Sequence, residues 1–179
     1  AFDSWGATNI TKNWTTISGT NNAADRVHNI AIGGAEVQAA VLGFTTPLIA
    51  GAQILNFGFQ PEVVLFLWSG AVSAALPTNQ THRSLGMGAM TATRQWAWVV
   101  NSQDNVNPAN TQRGQWTNWC ISALNFLGAV SFQAHFVSMD PTGATILWVT
   151  PGAAAYHISA LALAGISAQI GSYNKSVAP

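Results

Sequence analysis

Few side chains in this sequence can carry chemistry: four histidines, six carboxylates and a single cysteine in 179 residues. General acid–base catalysis needs two titratable groups held at one point with their pKa values pushed apart. Such groups could meet in space, as His135 with Asp140 or His82 with Asp104, but nothing in the spacing favours the task. Asp140 precedes Pro141 and is explained as a turn former, while Asp104 falls in a polar segment. There is no Gly-x-Ser-x-Gly elbow, no His-Glu-x-x-His helix and no phosphate-binding loop. Gly86-Met87-Gly88 lacks a third glycine at the right offset and follows Ser84-Leu85 in a strand-like run, so close packing is expected there instead of a phosphate cradle. No two His or carboxylate residues share a ligand spacing on one element, and Cys120 alone can form neither a thiolate cluster nor an intrachain disulfide. Its neighbours Trp119 and Ile121 suit a buried, inert thiol. The expectation is a chain with no catalytic residue, no metal and no cofactor. A glycan hydrolase is the least favoured reading, because glycoside hydrolysis uses two carboxylates and no motif presents such a pair.

The aromatic residues say more. Eight tryptophans is a heavy load, and Trp96, Trp98, Trp116 and Trp119 cluster around residues 101–115. In a strand, Trp96 and Trp98 share one face. That layout serves a stacking platform for a sugar ring, and it equally serves a sandwich core or a subunit interface. The intervening segment 101–115 is dense in amides and hydroxyls and reads as a loop able to hydrogen-bond a sugar or another protein's backbone. A second aromatic set, Phe2, Trp5 and Trp14, punctuates the polar residues 1–24. That stretch shows no sustained helical or strand period and reads as an extended arm, either folded over its own domain or reaching for a neighbour.

Composition narrows the partners. Only 7% of residues are charged, where soluble proteins average roughly 25%, and six basic residues balance six acidic ones. Such a chain has no cationic footprint for nucleic acid or for an anionic membrane surface. An apolar fraction of 49% is too high for disorder, while the longest apolar runs, such as Val63–Trp68, fall far short of the ~18 residues of a spanning helix. The N-terminal residues Ala1-Phe2-Asp3-Ser4-Trp5 show neither the charged nor the apolar region of a secretion signal. The expectation is a folded, soluble domain whose uncharged surface is either simply polar or covered by something else.

These side chains must be positioned by strands. Short runs rich in Val, Ile, Leu, Phe and Trp, separated by Gly, Pro, Asn and Ser, place strands near 27–33, 37–44, 52–58, 62–69, 83–91, 94–101, 117–124, 130–138, 144–150 and 156–164. Phe59-Gln60-Pro61 fixes one corner, and Asp140-Pro141-Thr142-Gly143 marks a hairpin that puts His135 in the preceding strand. Alanine invites a helix at 33–41 and at 153–164. The second is rejected because large and small residues alternate from His157 to Ala164; the first stays open. A faint echo between Ile30–Phe44 and Leu161–Tyr173 would make strands from the two ends of the domain neighbours in one sheet. At 179 residues one core is expected: an arm at 1–24 and a single antiparallel β-sandwich at 25–179, jelly-roll-like in its wrapping.

Several motifs, taken in order, resemble a family of tailed-bacteriophage structural proteins. They are Gly58-Phe59-Gln60-Pro61-Glu62-Val63-Val64, Ser84-Leu85-Gly86-Met87-Gly88, Phe136-Val137-Ser138-Met139-Asp140 with Gly143, Ile146-Leu147-Trp148, and Ala160-Leu161-Ala162-Leu163-Ala164-Gly165. The resemblance spans residues 37–173; Met139 replaces an aromatic or aliphatic residue of the pattern and Ala164 a glycine. It implies a non-enzymatic virion component, either a decoration or cement protein on the head or an adhesion module on the tail. The expected partners are the major capsid protein or other virion proteins and further copies of the chain, with a trimer in view. A host glycan is the other candidate partner, through Trp96, Trp98, Trp116 and Trp119. Phe2, Trp5 and Trp14 are the residues expected to reach capsid or oligomer neighbours, a role that comes from their place in the arm and has no counterpart in the family pattern.

Overall fold

In the computed structural model, residues 2–5, 10–12, 32, 34–72, 82–108 and 110–171 are described. The chain divides into two compact units, Ala1–Ile32 and Gly33–Pro179. In the first, β1 (Phe2–Trp5) and β2 (Ile10–Lys12) form an antiparallel pair with Trp5 opposite Ile10. Strands of four and three residues are too short to show a period, which is why this segment reads as featureless in the sequence. Phe2 and Trp5 sit at the two ends of β1, whereas Trp14 and nearly all of the strand expected at 27–33 lie outside the described residues.

Among its described residues the second unit holds ten strands: β3 (Gln38–Thr45), β4 (Gly51–Asn56), β5 (Val63–Trp68), β6 (His82–Thr91), β7 (Gln95–Gln103), β8 (Thr111–Trp116), β9 (Ile121–Leu124), β10 (Val130–Asp140), β11 (Gly143–Thr150) and β12 (His157–Ala164). They build a six-stranded antiparallel sheet ordered β3-β12-β5-β6-β7-β8 and a four-stranded one ordered β4-β11-β10-β9. The two sheets share one core and make a β-sandwich. β3 and β4 pair with β12 and β11, so strands from the two ends of the domain wrap together as in a jelly roll; residues 30, 31, 33, 172 and 173 of the echo lie outside the described residues. The middle of the chain departs from that wrapping and runs as two meanders, β5 to β8 and β9 to β11.

Local chemistry explains the elements. Alternation in β12 sends Ile158, Ala160 and Ala162 inward, where all are buried. The segment 33–41, left open between helix and strand, turns at Ala35-Glu36 and continues as β3. Asp140 and Gly143 are directly opposite across a two-residue turn, the hairpin that Pro141-Thr142 favours. The core is filled from both sheets by Phe66, Phe132, Trp148, Leu55, Met90 and Ile146, and burying each of the two phenylalanines contributes about 1.5–3 kcal/mol. Phe132 is the hub of the aromatic packing, with ring centroids 6.4 Å from Trp68, 6.2 Å from Trp148 and 5.1 Å from Tyr156. Trp148 brings its indole N–H in at little cost, because it donates to Gln53 Oε1 at 2.7 Å.

One expectation needs correcting. Residues 101–115 are not a loop: β7 extends to Gln103 and β8 begins at Thr111, which confines the connection to 104–110. β8 is an edge strand with the sequence Thr-Gln-Arg-Gly-Gln-Trp, and its polar side chains hide it from any hydropathy pattern. Backbone pairing with β7 defines it instead, together with Gly114, where a Cβ would strike the ring of Trp116.

Candidate functional site

Gly86 and Gly88 show how the six-stranded sheet is built. A Cβ on Gly86 would overlap the indole of Trp68, and one on Gly88 would meet the backbone carbonyl of Cys120. The two glycines let the core side chain of β5 and the start of β9 lie directly on β6. Close packing, not phosphate binding, is their task. The same alternation forces Leu85, Met87 and Ala89 onto the opposite, outward face.

That outward face is the most unusual surface of the domain. β5 reads Val-Val-Leu-Phe-Leu-Trp, apolar at every position, so its second face is apolar too. Register carries the pattern across the sheet: Val41, Leu161, Leu65, Ala89 and Trp96 lie in one row, and Ser159, Leu67, Met87, Trp98 and Gln115 in the next. Val41, Leu65, Leu67, Leu85 and Met87 are between 40% and 77% exposed. Strands apolar on both faces belong to sheets covered on both sides. At ~4.8 Å between strands and ~3.3 Å per residue, six strands and six residues give a face of about 24 by 20 Å. Val63, Leu163 and Ala89 on this face are already buried, so the exposed part is narrower, and contiguous exposed apolar patches of a few hundred Å² mark interaction sites.

The tryptophans are not gathered into one platform. Trp96 and Trp98 do share the outward face of β7, each partly buried, while Ala97 and Val99 between and beyond them enter the core. Trp116 lies opposite Ala97 on the inward face of β8 and packs against the core. Trp119 follows β8 and meets His135 of β10 edge to face at 5.9 Å. Trp96 also lines a cavity of about 360 Å³ at the β6–β7 turn, with Thr93, Arg94, Gln95, Phe136 and Ile170. Within it, Arg94 Nη1 donates to the carbonyl of Ile170 at 3.4 Å, and Gln95 Oε1 accepts from the Phe136 amide at 2.7 Å. A second cavity of about 270 Å³ includes Ser69, Ser84, Asn101, Asn125, Phe132 and Tyr156. Asn101 Nδ2 donates to the Leu124 carbonyl at 2.9 Å and ties β7 to β9.

Among the described residues the titratable groups do not assemble. Asp140 Oδ1 accepts from Ser138 Oγ at 2.7 Å and Oδ2 from Thr145 Oγ1 at 2.6 Å. These bonds, Thr145 first, hold its carboxyl below the usual carboxylate range and keep it an acceptor. His135 Nδ1 lies 3.0 Å from the Phe136 carbonyl oxygen, away from any pairing with Asp140. Asp104 is exposed in the 104–110 connection, where Oδ1 accepts from the Asn105 amide. Cys120 is fully buried, its Sγ donates to the Ala134 carbonyl at 3.4 Å, and desolvation raises its pKa far above the ordinary thiol value. Among the described residues no group of three or more His, Cys, Asp or Glu comes together.

Comparison of the chain with protein-family models, with curated proteins and with solved structures returns no match. The site therefore rests on geometry. Sequence reading named Trp96 and Trp98 but missed Leu65, Leu67, Leu85, Met87 and Val41. The signal was present in Val63–Trp68, whose lack of alternation marks a strand with two apolar faces.

Proposed function

We propose that the protein is a non-enzymatic structural subunit of a tailed-bacteriophage particle, a decoration or cement protein on the head surface. The observation that carries this reading is the uncharged, apolar outward face of the six-stranded sheet, a surface made to be covered. Symmetric contacts with the major capsid protein and with further copies of the chain would cover it, and repetition over a particle converts modest contacts into high avidity. The ordered motifs from Gly58 to Gly165 support the same class. The N-terminal unit, with Phe2, Trp5 and Trp14, is assigned to reaching neighbouring subunits.

A second reading is an adhesion module that binds host glycan. It is favoured by Trp96, which combines an aromatic ring on the outward face of β7 with the polar cavity that holds Arg94 and Thr93. Immunogold labelling of intact phage particles with antibody against this chain separates the two. Label spread over the heads is the expected result. Label confined to the tail tip overturns the head assignment in favour of adhesion, to be followed by sugar titration of Trp96→Ala, and absence of the chain from purified particles overturns both.

A further inference from the structure

We infer that the outward face of the six-stranded sheet is the contact between two copies of this chain, related by a twofold axis that runs along the strands between β5 and β6. The inference rests on the reading of that face as a covered surface and commits to its occupant. Three observations lead to a second copy.

The first is charge. The outward positions of β3, β12, β5 and β7, and those of β6 from Leu85 to Thr91, hold no Asp, Glu, Lys or Arg. A face without charge meets itself without repulsion, whereas a charged partner would leave its own groups desolvated and unpaired. Two arginines occupy outward register positions nearer the rim, Arg113 on β8 and Arg83 opposite Ser102 at the start of β6.

The second is area. The face measures about 500 Å² in projection from strand spacing and rise, with Val63, Leu163 and Ala89 already buried, so two copies together come to ~1,000 Å², the low end of specific interfaces. Two such sheets stack at about 10 Å, as in the sandwich itself.

The third is the distribution of bulk across the strands. Trp98 on β7 stands high where Ser159 in its row on β12 is low, and Leu65 on β5 stands high where Ala89 in its row on β6 is low. A twofold axis along the strands sets β7 of one copy over β12 of the other and β6 over β5, so high ground meets low. It also sets each Arg113 over β3 of the partner copy, at opposite ends of the interface. The perpendicular in-plane axis would instead set β7 over β7 and β8 over β8, bringing the tryptophans of both copies and both Arg113 residues to the same side of the interface. One flat patch used by both copies closes at two, because a threefold ring needs two different patches on each subunit.

The test is the mass of the full-length chain in solution by analytical ultracentrifugation, for wild type and for Met87→Glu and Leu65→Lys. Both positions are already 40% or more exposed, so the variants should fold, with circular dichroism and thermal transition as controls. The wild type is expected at twice the 18.8 kDa of one chain, and each variant at half the wild-type mass with an unchanged fold. A single-chain or three-chain wild-type mass overturns the inference, as does a twofold mass that survives both substitutions. Its failure is separable from that of the structural reading: single chains in solution with labelled phage heads remove the twofold contact alone.

Discussion

The outward faces of the two sheets differ in a way that hydropathy alone does not show. On the four-stranded sheet, Ser138, Asp140 and Thr145 form a hydrogen-bonded group, and His135 and Thr145 stand among exposed Ile54 and Val149. Water satisfies such a face, and scattered aliphatic residues on it need no explanation. On the six-stranded sheet the corresponding positions carry Leu65, Leu67, Met87 and Trp98 in adjacent registers, with no comparable polar group among them. That face is constructed like the inner layer of a thicker sandwich. In a chain with so few charges, the face meant for a partner is distinguished by the continuity of its apolar rows across strands, not by the presence of exposed apolar residues as such.

The sharpest way to break this comparison uses two successive residues of β5. Phe66 is 1% exposed and points into the core, whereas Leu65 is 40% exposed and points outward. Phe66→Ala is expected to destabilise the domain by about 3–5 kcal/mol, through lost burial and the cavity left behind. Leu65→Ala is expected to cost under about 1 kcal/mol, with an effect that depends on protein concentration because a second copy covers it. Urea midpoints at two protein concentrations check both. Equal, concentration-independent losses would mean that the outward face is simply core by another route.

Gly88 sharpens the comparison within β6. Gly88→Ala places a methyl group against the backbone carbonyl of Cys120, which cannot move without displacing the start of β9. The expected cost is about 1–3 kcal/mol, that of overpacking, measured as a shift of the urea midpoint. Met87→Ala, one residue away on the opposite face, should move that midpoint far less at low protein concentration. A neutral Gly88→Ala would show that β9 does not press on β6 as the packing implies.

Much of this was legible in the sequence, for reasons that particular segments make plain. Strands with a strong apolar face, such as β12 and β10, and turns with specific chemistry, such as Asp140-Pro141-Thr142-Gly143, were readable with boundaries within a few residues. β8 was not, because an edge strand of Thr, Gln, Arg and Gly carries no apolar alternation and exists through its pairing with β7. Nor was the fate of the tryptophans: proximity in sequence placed four together, whereas strand alternation sends Trp98 and Trp116 to opposite faces and the turn after β8 carries Trp119 to His135. The outward apolar face needed the order of strands, which no local pattern contains. Its one local trace was the unbroken apolar run of β5.

The smallest expected effect tests the polar character of the four-stranded sheet's outward face. Asp140 is an ionised acceptor for Thr145 and Ser138, with a folded-state pKa below its unfolded value. A carboxylate depressed in this way contributes stability above the unfolded value, near 4, and loses that contribution as pH falls through the lower folded value. Because the group lies at the surface, the contribution is small and screened by salt. Urea midpoints of the wild type should therefore decline between about pH 5 and pH 2 more steeply than those of Asp140→Asn. Thr145→Val, which removes the first of the two donors, should give an intermediate slope. Parallel slopes in all three proteins would mean that the hydrogen bonds do not favour the ionised form. The polar face would then differ from the apolar one only in composition, with no structured group to keep it turned towards water.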